Sequence, residues 1–254
     1  KKMRDLYINS KSRHSSKGLE FYLENLIGEK FRKYRKIWRE VHDLKKTTDF
    51  PLYISLETQR KCNLRCSFCS FRDGEESTPG YYKDTLQDDL YKKIINEIKE
   101  NYCPSMGFNV LNEPLLDKTI ADKIYQAHKA GIIDSRVNTN ANALTEKTSK
   151  KLIDSGLVRL SVSLDAFTKE TYEKNRINSN YEKVLRNINQ FLELRDKLNS
   201  KLPILKVTFV KIKENINEAE NFENYWLKIA DEVSFQKFQD PLVFNPDNEK
   251  KVFN

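Results

Sequence analysis

From residue 51 onward the chain alternates short β-type runs with longer helical ones, and this alternation constrains the fold more than any other feature. The β-type runs are "FPLYISLET" (50–58), "MGFNVL" (106–111), "SRVNT" (135–139), "VRLSVSL" (158–164), "ILKVTFV" (204–210) and "EVSFQ" (232–236). In the first, Leu52, Ile54 and Leu56 alternate with other residues, as in a strand with one buried face. Between the runs, apolar residues recur at helical spacing. Leu86, Leu90, Ile94, Ile95 and Ile98 follow Asp84 and Thr85, either of which can cap a helix. Residues 117–130 read as a helix ending at Gly131, and residues 145–155 as one ending near Gly156. Further helices are expected over 168–174, 180–198 and about 217–230. Such βα units build a parallel sheet with right-handed crossovers. The sheet can be open and doubly wound, or it can curl into a barrel. The turns G-x-G-x-x-G and G-x4-G-K-[ST], which cradle phosphates in many doubly wound folds, are absent. The expectation is an α/β fold, a partial (β/α)6 TIM-like barrel with parallel strands, preceded by an N-terminal helical extension.

Three regions follow from this reading: a basic arm with helices (1–50), the barrel (51–240), and the start of a C-terminal extension (241–254). Residues 1–16 show charged and turn-type residues without a period and are expected to form a loose arm. Residues 17–46 are helical in pattern, with Leu19, Leu23, Leu26, Ile37, Trp38 and Val41 as the apolar positions and Gly28 as a break. Residues 1–50 hold 14 Lys and Arg against 7 Asp and Glu, a net +7, which leaves +1 of the overall +8 for the rest of the chain. The stretch "KFRKYRKIWRE" (30–40) is read as a solvated helix whose aromatic residues pack on the body. Nucleic-acid binding is the alternative there. No run of about 20 apolar residues spans a membrane, and the N-terminus lacks the apolar core of a signal peptide. The chain is therefore read as cytoplasmic, without a membrane partner.

Three of the four cysteines lie within the sixteen residues "ETQRKCNLRCSFCSFR" (57–72), directly after the first strand. Ligands of parallel α/β folds bind at that end of the strands. Structural zinc needs four protein ligands. The loop offers Cys62, Cys66 and Cys69, while His14, His42 and His128 are distant in sequence. Cys103 precedes the second strand, at the opposite end of the sheet, and is read as a small buried apolar residue. A 4Fe–4S cluster suits three thiolates better, because one iron is then left open to a ligand.

The cysteine loop resembles a known signature. "CNLRCSFC" is similar to the C-x3-C-x-Φ-C motif of radical S-adenosylmethionine (radical SAM) enzymes, with Phe68 as the aromatic residue. "LNEPLLD" (111–117) resembles that superfamily's GGEP segment, with Asn112 in place of a glycine. "NTNANALT" (138–145) resembles the TNG-type segment, with Ala141 where glycine is usual, and "LSVSLDA" (160–166) resembles the SLD segment. Arg176 follows at the spacing of the SPASM/Twitch and molybdopterin-biosynthesis-like branches. The resemblance covers about residues 50–240.

The resemblance implies a 4Fe–4S cluster on Cys62, Cys66 and Cys69, and S-adenosylmethionine on its open iron. Glu113 and the Asn112 backbone would receive the methionine amino group, and Arg176 the methionine carboxylate. Ser163 would bond a ribose hydroxyl, while Thr139 and Asn140 would line the same pocket. Asp165 would bond the cofactor, contact substrate or cap the next helix. Val210 would meet the adenine through its backbone, with Phe68 packed nearby. No catalytic side chain is identified beyond the cluster and S-adenosylmethionine site. Basic Arg60, Lys61 and Arg65 flank the cysteines and could face an electron donor such as flavodoxin or ferredoxin. The implied reaction is hydrogen abstraction by a 5′-deoxyadenosyl radical, first of all from a peptide or protein. A small molecule (sugar, nucleotide or cofactor precursor) is the alternative, and a non-catalytic iron–sulfur or zinc protein that binds nucleic acid a third. The C-terminal extension with auxiliary-cluster cysteines found in SPASM/Twitch proteins is expected to be missing.

Overall fold

The computed structural model describes residues 9–12, 18–69 and 85–238. The expected cap at Asp84, most of the arm and the expected extension over 241–254 lie outside them. The elements run β1 (Asn9–Ser12), α1 (Gly18–Ile27), α2 (Glu29–His42), β2 (Tyr53–Ser55), α3 (Asp88–Glu100), β3 (Ser105–Gly107), α4 (Ile120–Lys129), β4 (Asp134–Thr139), α5 (Glu146–Asp154), β5 (Arg159–Ser163), α6 (Lys169–Asn175), α7 (Tyr181–Lys197), β6 (Ile204–Lys211), α8 (Ala219–Trp226) and β7 (Glu232–Lys237). Gly28, at φ 86°, breaks the N-terminal helical stretch into two. Thr145, Thr168 and Asn180 cap α5, α6 and α7 by accepting the backbone N–H three residues on. α3 starts at Asp88 behind Gln87, which makes no side-chain cap bond, so Thr85 does not cap it.

The sheet order is β1-β7-β6-β5-β4-β3-β2, and β2 to β7 are all parallel. Every crossover therefore moves to the adjacent strand in one direction. A doubly wound sheet reverses direction at a switch point, and this one does not, so the winding is that of a barrel. The described strands do not close the ring: β2 and β1 are the two edges. Central strands are buried on both faces, as Leu160, Ser161 and Val162 of β5 show. One face packs on Ile124, Leu152, Ile188, Phe191 and Phe222 from the helices, which share a core with Met106, Val137, Leu160, Val207 and Val233. A separate cluster joins Leu19, Leu23, Phe31 and Tyr34 to Val158 and Ile204, which sit at the starts of β5 and β6. α1 and α2 thus cover the amino end of these strands, and the aromatic residues of the basic stretch pack on the body.

Three expectations are corrected. Asn9–Ser12 lies in the segment read as a loose arm, yet it pairs antiparallel with β7, Asn9 opposite Phe235 and Ser12 opposite Glu232. Its four polar residues carry no period from which a strand could be read. The strand expected over 106–111 ends at Gly107. Val110 and Leu111 look strand-like, but the Leu111 and Asn112 N–H groups donate to Glu57 Oε1 at 2.6 and 3.2 Å, which turns the chain away from the ladder. The helix expected over 217–230 is a 3₁₀ turn, Ile216–Glu218, followed by the shorter α8.

Candidate active site at the carboxyl end of the sheet

The carboxyl ends of the six parallel strands open into one cavity of about 590 Å³. Of the residues expected to hold the cluster or S-adenosylmethionine, all line it except Asp165; the flanking Arg60, Lys61 and Arg65 do not. The cysteine loop follows β2 and is fastened from two sides. Arg65 N–H donates to the Ile177 carbonyl at 3.1 Å, and Ser67 N–H to the Asn175 carbonyl at 2.8 Å. Ser67 Oγ donates to Asn175 Oδ1 at 3.1 Å. On the other side Glu113 N–H donates to the Lys61 carbonyl at 2.8 Å. These bonds fix the loop without using a cysteine side chain as an anchor.

Cys62, Cys66 and Cys69 are all outside any disulfide and partly exposed, and they border the same space. Cys103 is free but buried away from the cavity. Burial pushes the Cys62 thiol up to about 11, against a weaker opposing effect of the Leu64 N–H. Burial also raises Cys66, although the Arg176 charge works the other way. A metal centre would take the three sulfurs as thiolates, with release of protons. Among the described residues no three His, Cys, Asp or Glu side chains converge to hold a single metal ion. A polynuclear cluster gives each iron its own sulfur, so three sulfurs around one cavity fit it and a closed tetrahedral zinc cage does not.

Glu113 ends the loop after β3 and is 2% exposed. Its Oε1 accepts from Thr139 Oγ1 at 2.6 Å and Leu115 N–H at 3.0 Å, and its Oε2 from Asn140 N–H at 2.7 Å. Burial raises its pKa, and these bonds only partly offset that. All three partners are neutral, and a carboxylate has about four acceptor sites. One site is thus left toward the cavity, where a ligand's ammonium would be favoured. Thr139 and Asn140 are supports of Glu113 in this arrangement. Asn140 Nδ2 reaches Asn63 Oδ1 at 2.9 Å, which ties the segment after β4 to the cysteine loop.

Arg176, 6% exposed, terminates α6 and reaches back beneath the cysteine loop. Its Nε donates to the Leu164 carbonyl at 3.2 Å, its Nη2 to Asp165 Oδ2, and its Nη1 to Cys66 Sγ at 3.9 Å. Burial is the largest single effect and opposes its charge, but the Asp165 carboxylate together with Cys66 and Tyr172 outweighs it and holds the guanidinium above its ordinary pKa. Asp165 lies below the cavity wall. It sits at φ 59°, and its Oδ1 accepts from Val210 N–H at 2.6 Å. Thr168, not Asp165, caps α6, so the helix-cap alternative for Asp165 is corrected. The Val210 carbonyl accepts from Asn215 Nδ2 at 2.8 Å. With its N–H also taken, Val210 retains for a ligand only its side chain and the carbonyl's second lone pair. Ser163 is half-buried in the wall, and its Oγ accepts a long bond of 3.4 Å from Thr208 Oγ1.

The sequence reading missed Asn109, Val110, Leu111, Asn138, Gln236, Lys237 and Phe238, which also line the cavity. Asn109 Oδ1 accepts from Asn138 N–H at 2.9 Å and joins the ends of β3 and β4. These residues share a position rather than a motif, since each follows or ends a parallel strand. Topology alone could have pointed to them.

Comparison with known proteins agrees with this geometry. Residues 56–223 match the Radical SAM superfamily. A probable GTP 3′,8-cyclase of Methanococcus maripaludis is 30% identical over 170 residues, 67% of this chain and 53% of that protein. A GTP 3′,8-cyclase of Lactiplantibacillus plantarum is 32% identical over 181 residues, 68% of this chain and 50% of that protein. The chain thus spans about half the length of these curated relatives. The structure of anSMEcpe with bound AdoMet and Kp18Cys peptide superposes with a TM-score of 0.59 at 18% identity, over 76% of this chain and 52% of that one. The fold is the partial barrel of these neighbours. The chain belongs to the radical SAM superfamily, whose enzymes use a 4Fe–4S cluster and S-adenosylmethionine as cofactors.

Proposed function

We propose that the cavity seats the cluster on Cys62, Cys66 and Cys69 with S-adenosylmethionine beside it, and that this enzyme takes a hydrogen atom from a small polar substrate at the cavity mouth. When bound and given one electron, the cofactors supply cleavage of the C5′–S bond to methionine and a 5′-deoxyadenosyl radical. The observation that carries the reading is the gathering of three cysteines outside any disulfide, a buried Glu113 with a spare acceptor site and a buried Arg176 around one cavity. Glu113 and the Asn112 carbonyl receive the amino group. Arg176 has five N–H donors and spends three on its anchors, which leaves two for the carboxylate. Ser163 donates to the ribose. Val210 and Phe68 border the adenine and keep water from that wall.

A cavity of about 590 Å³ is of the size that one cofactor-sized ligand fills, so the substrate sits at the mouth. Asn109, Asn138 and Gln236 line the same cavity, and carboxamides suit the donors and acceptors of a base edge or a sugar. The sequence relatives named GTP 3′,8-cyclase support a nucleotide-class substrate. A peptide is the second reading, favoured by the exposed apolar side chains of Val110 and Leu111 at the mouth. The electron donor we assign is of the flavodoxin or ferredoxin type, facing the exposed Lys61 and Arg65 beside the cysteines. The compartment we assign is the cytoplasm; among the described residues no helix is long and apolar enough to cross a membrane. The test is anaerobic turnover of the full chain with dithionite, S-adenosylmethionine and deuterated candidate substrates. Deuterium appearing in 5′-deoxyadenosine from nucleotides or nucleotide sugars supports the reading. Deuterium from peptides alone transfers it to the second one.

A further inference from the structure

Arg176 has a contact that binding of S-adenosylmethionine does not require: its Nη1 points at the sulfur of Cys66 at 3.9 Å. We propose that Arg176 sets the reduction potential of the cluster by holding a fixed positive charge and an N–H donor against the Cys66 sulfur. The inference rests on the cluster reading above. The guanidinium is planar, and each of its three nitrogens has its own anchor: the Leu164 carbonyl, the Asp165 carboxylate and the Cys66 sulfur. A group held at three corners cannot turn away from the sulfur without breaking two other bonds. The surroundings let the charge act at full strength. Arg176 and Asp165 are 6% and 1% exposed, Tyr172 one turn earlier is fully buried, and the Phe68 ring lies 5.9 Å from the guanidinium carbon. Burial of the pair weakens solvent screening of the interaction.

The direction follows from charge. Reduction adds one electron, taken from a low-potential one-electron donor, and the reduced form is the more negative one. A nearby cation and hydrogen bonds to the ligating sulfurs stabilise it and raise the potential. Asp165 acts in the opposite sense, since its negative charge lies on the far side of the same guanidinium. No proton moves, because arginine stays protonated throughout. Arg176 is therefore a positioning residue whose charge is tuned by its partner, beside any contact it makes with the methionine carboxylate.

The test is a redox titration of the reconstituted protein, followed by the EPR signal of the reduced cluster, without S-adenosylmethionine. Arg176→Gln should lower the reduced-to-oxidised ratio at a fixed potential about tenfold, which is 59 mV for a one-electron couple. Asp165→Asn should shift it the other way by a smaller factor; asparagine tolerates the positive φ found there. Where Arg176→Gln alone fails to fold because Asp165 is left unpaired, the double variant Arg176→Gln/Asp165→Asn replaces it. That variant should titrate below Asp165→Asn. Equal potentials, or shifts of the two single variants in the same direction, overturn the proposal. Wild-type protein that forms no cluster on the three cysteines would overturn the cluster reading instead. Loss of S-adenosylmethionine affinity in Arg176→Gln with an unchanged potential would leave Arg176 with the carboxylate role alone.

Discussion

The two ends of the same parallel sheet treat buried charge differently. At the amino end, Asp134 on β4 is fully buried and bound by Arg159 Nε at 2.6 Å and Arg136 Nη2 at 2.9 Å. Arg195 pairs with Asp231, which also accepts the Leu205 N–H at 2.7 Å. Each carboxylate there has a cation of its own. At the carboxyl end Arg176 pairs with Asp165, but the equally buried Glu113 has only neutral donors, and three thiols stand beside it. In closed βα barrels the amino end serves stability and the carboxyl end serves the ligand. Here the difference can be read in the charge balance: one end is complete, and the other has acceptor sites that suit a cation and a metal centre.

The comparison breaks most visibly at the cysteines. Cys62→Ala, Cys66→Ala and Cys69→Ala should each abolish stable cluster loading, read as iron per chain and charge-transfer absorbance. Cys103→Ala should keep loading intact and cost about 1 kcal/mol of stability in a denaturant titration. Loading that survives in any of the first three would place the centre elsewhere.

The loop was the most legible part of the site because its spacing is local in sequence. The alternation of βα units was legible for the same reason, and the absence of glycine-rich phosphate turns pointed to barrel-type winding. What sequence could not show is set by distant partners. Asp165 reads like a cap or a cofactor contact, but its carboxylate is spent on Arg176 and Val210, which come from other elements. Thr139 and Asn140 read as pocket residues, yet their bonds go to Glu113, 26 and 27 positions away. Val110 and Leu111 imitate a strand, and only the position of Glu57 across the turn ends it.

The next effects separate the two ends by what they damage. Asp134→Ala removes one member of a buried ion network and should cost about 3–5 kcal/mol in urea denaturation. S-adenosylmethionine binding by the protein that remains folded should not change. Glu113→Gln should do the reverse. It loses a charge-assisted bond to the ligand, about 1.5–3 kcal/mol, or a tenfold or greater fall in affinity by equilibrium dialysis. Its stability should change less than that of Asp134→Ala. Equal losses of stability in both variants would erase the distinction.

The smallest effect is on pH dependence, and its sign differs between the ends. Burial alone would raise Asp134, but Arg159 and Arg136 outweigh it and hold its pKa below the ordinary value. Its contribution is therefore present above the unfolded-state value of about 3.9 and lost as pH falls through the folded one. Glu113 is raised by burial, so the native state holds its proton more tightly than the unfolded chain. Its effect on stability is a loss as pH rises from about 4.3 through its folded pKa. In thermal melts across pH 3–8, Asp134→Asn should flatten the acid limb. Glu113→Gln should gain stability relative to wild type as pH increases.

The most direct measurement is the EPR spectrum of the dithionite-reduced, reconstituted protein with and without S-adenosylmethionine. The account predicts a spectrum that changes on addition in wild type, because the three cysteines leave one iron open to the ligand. It predicts a much weaker change in Glu113→Gln at the same ligand concentration. A wild-type spectrum unaffected by saturating S-adenosylmethionine would contradict it.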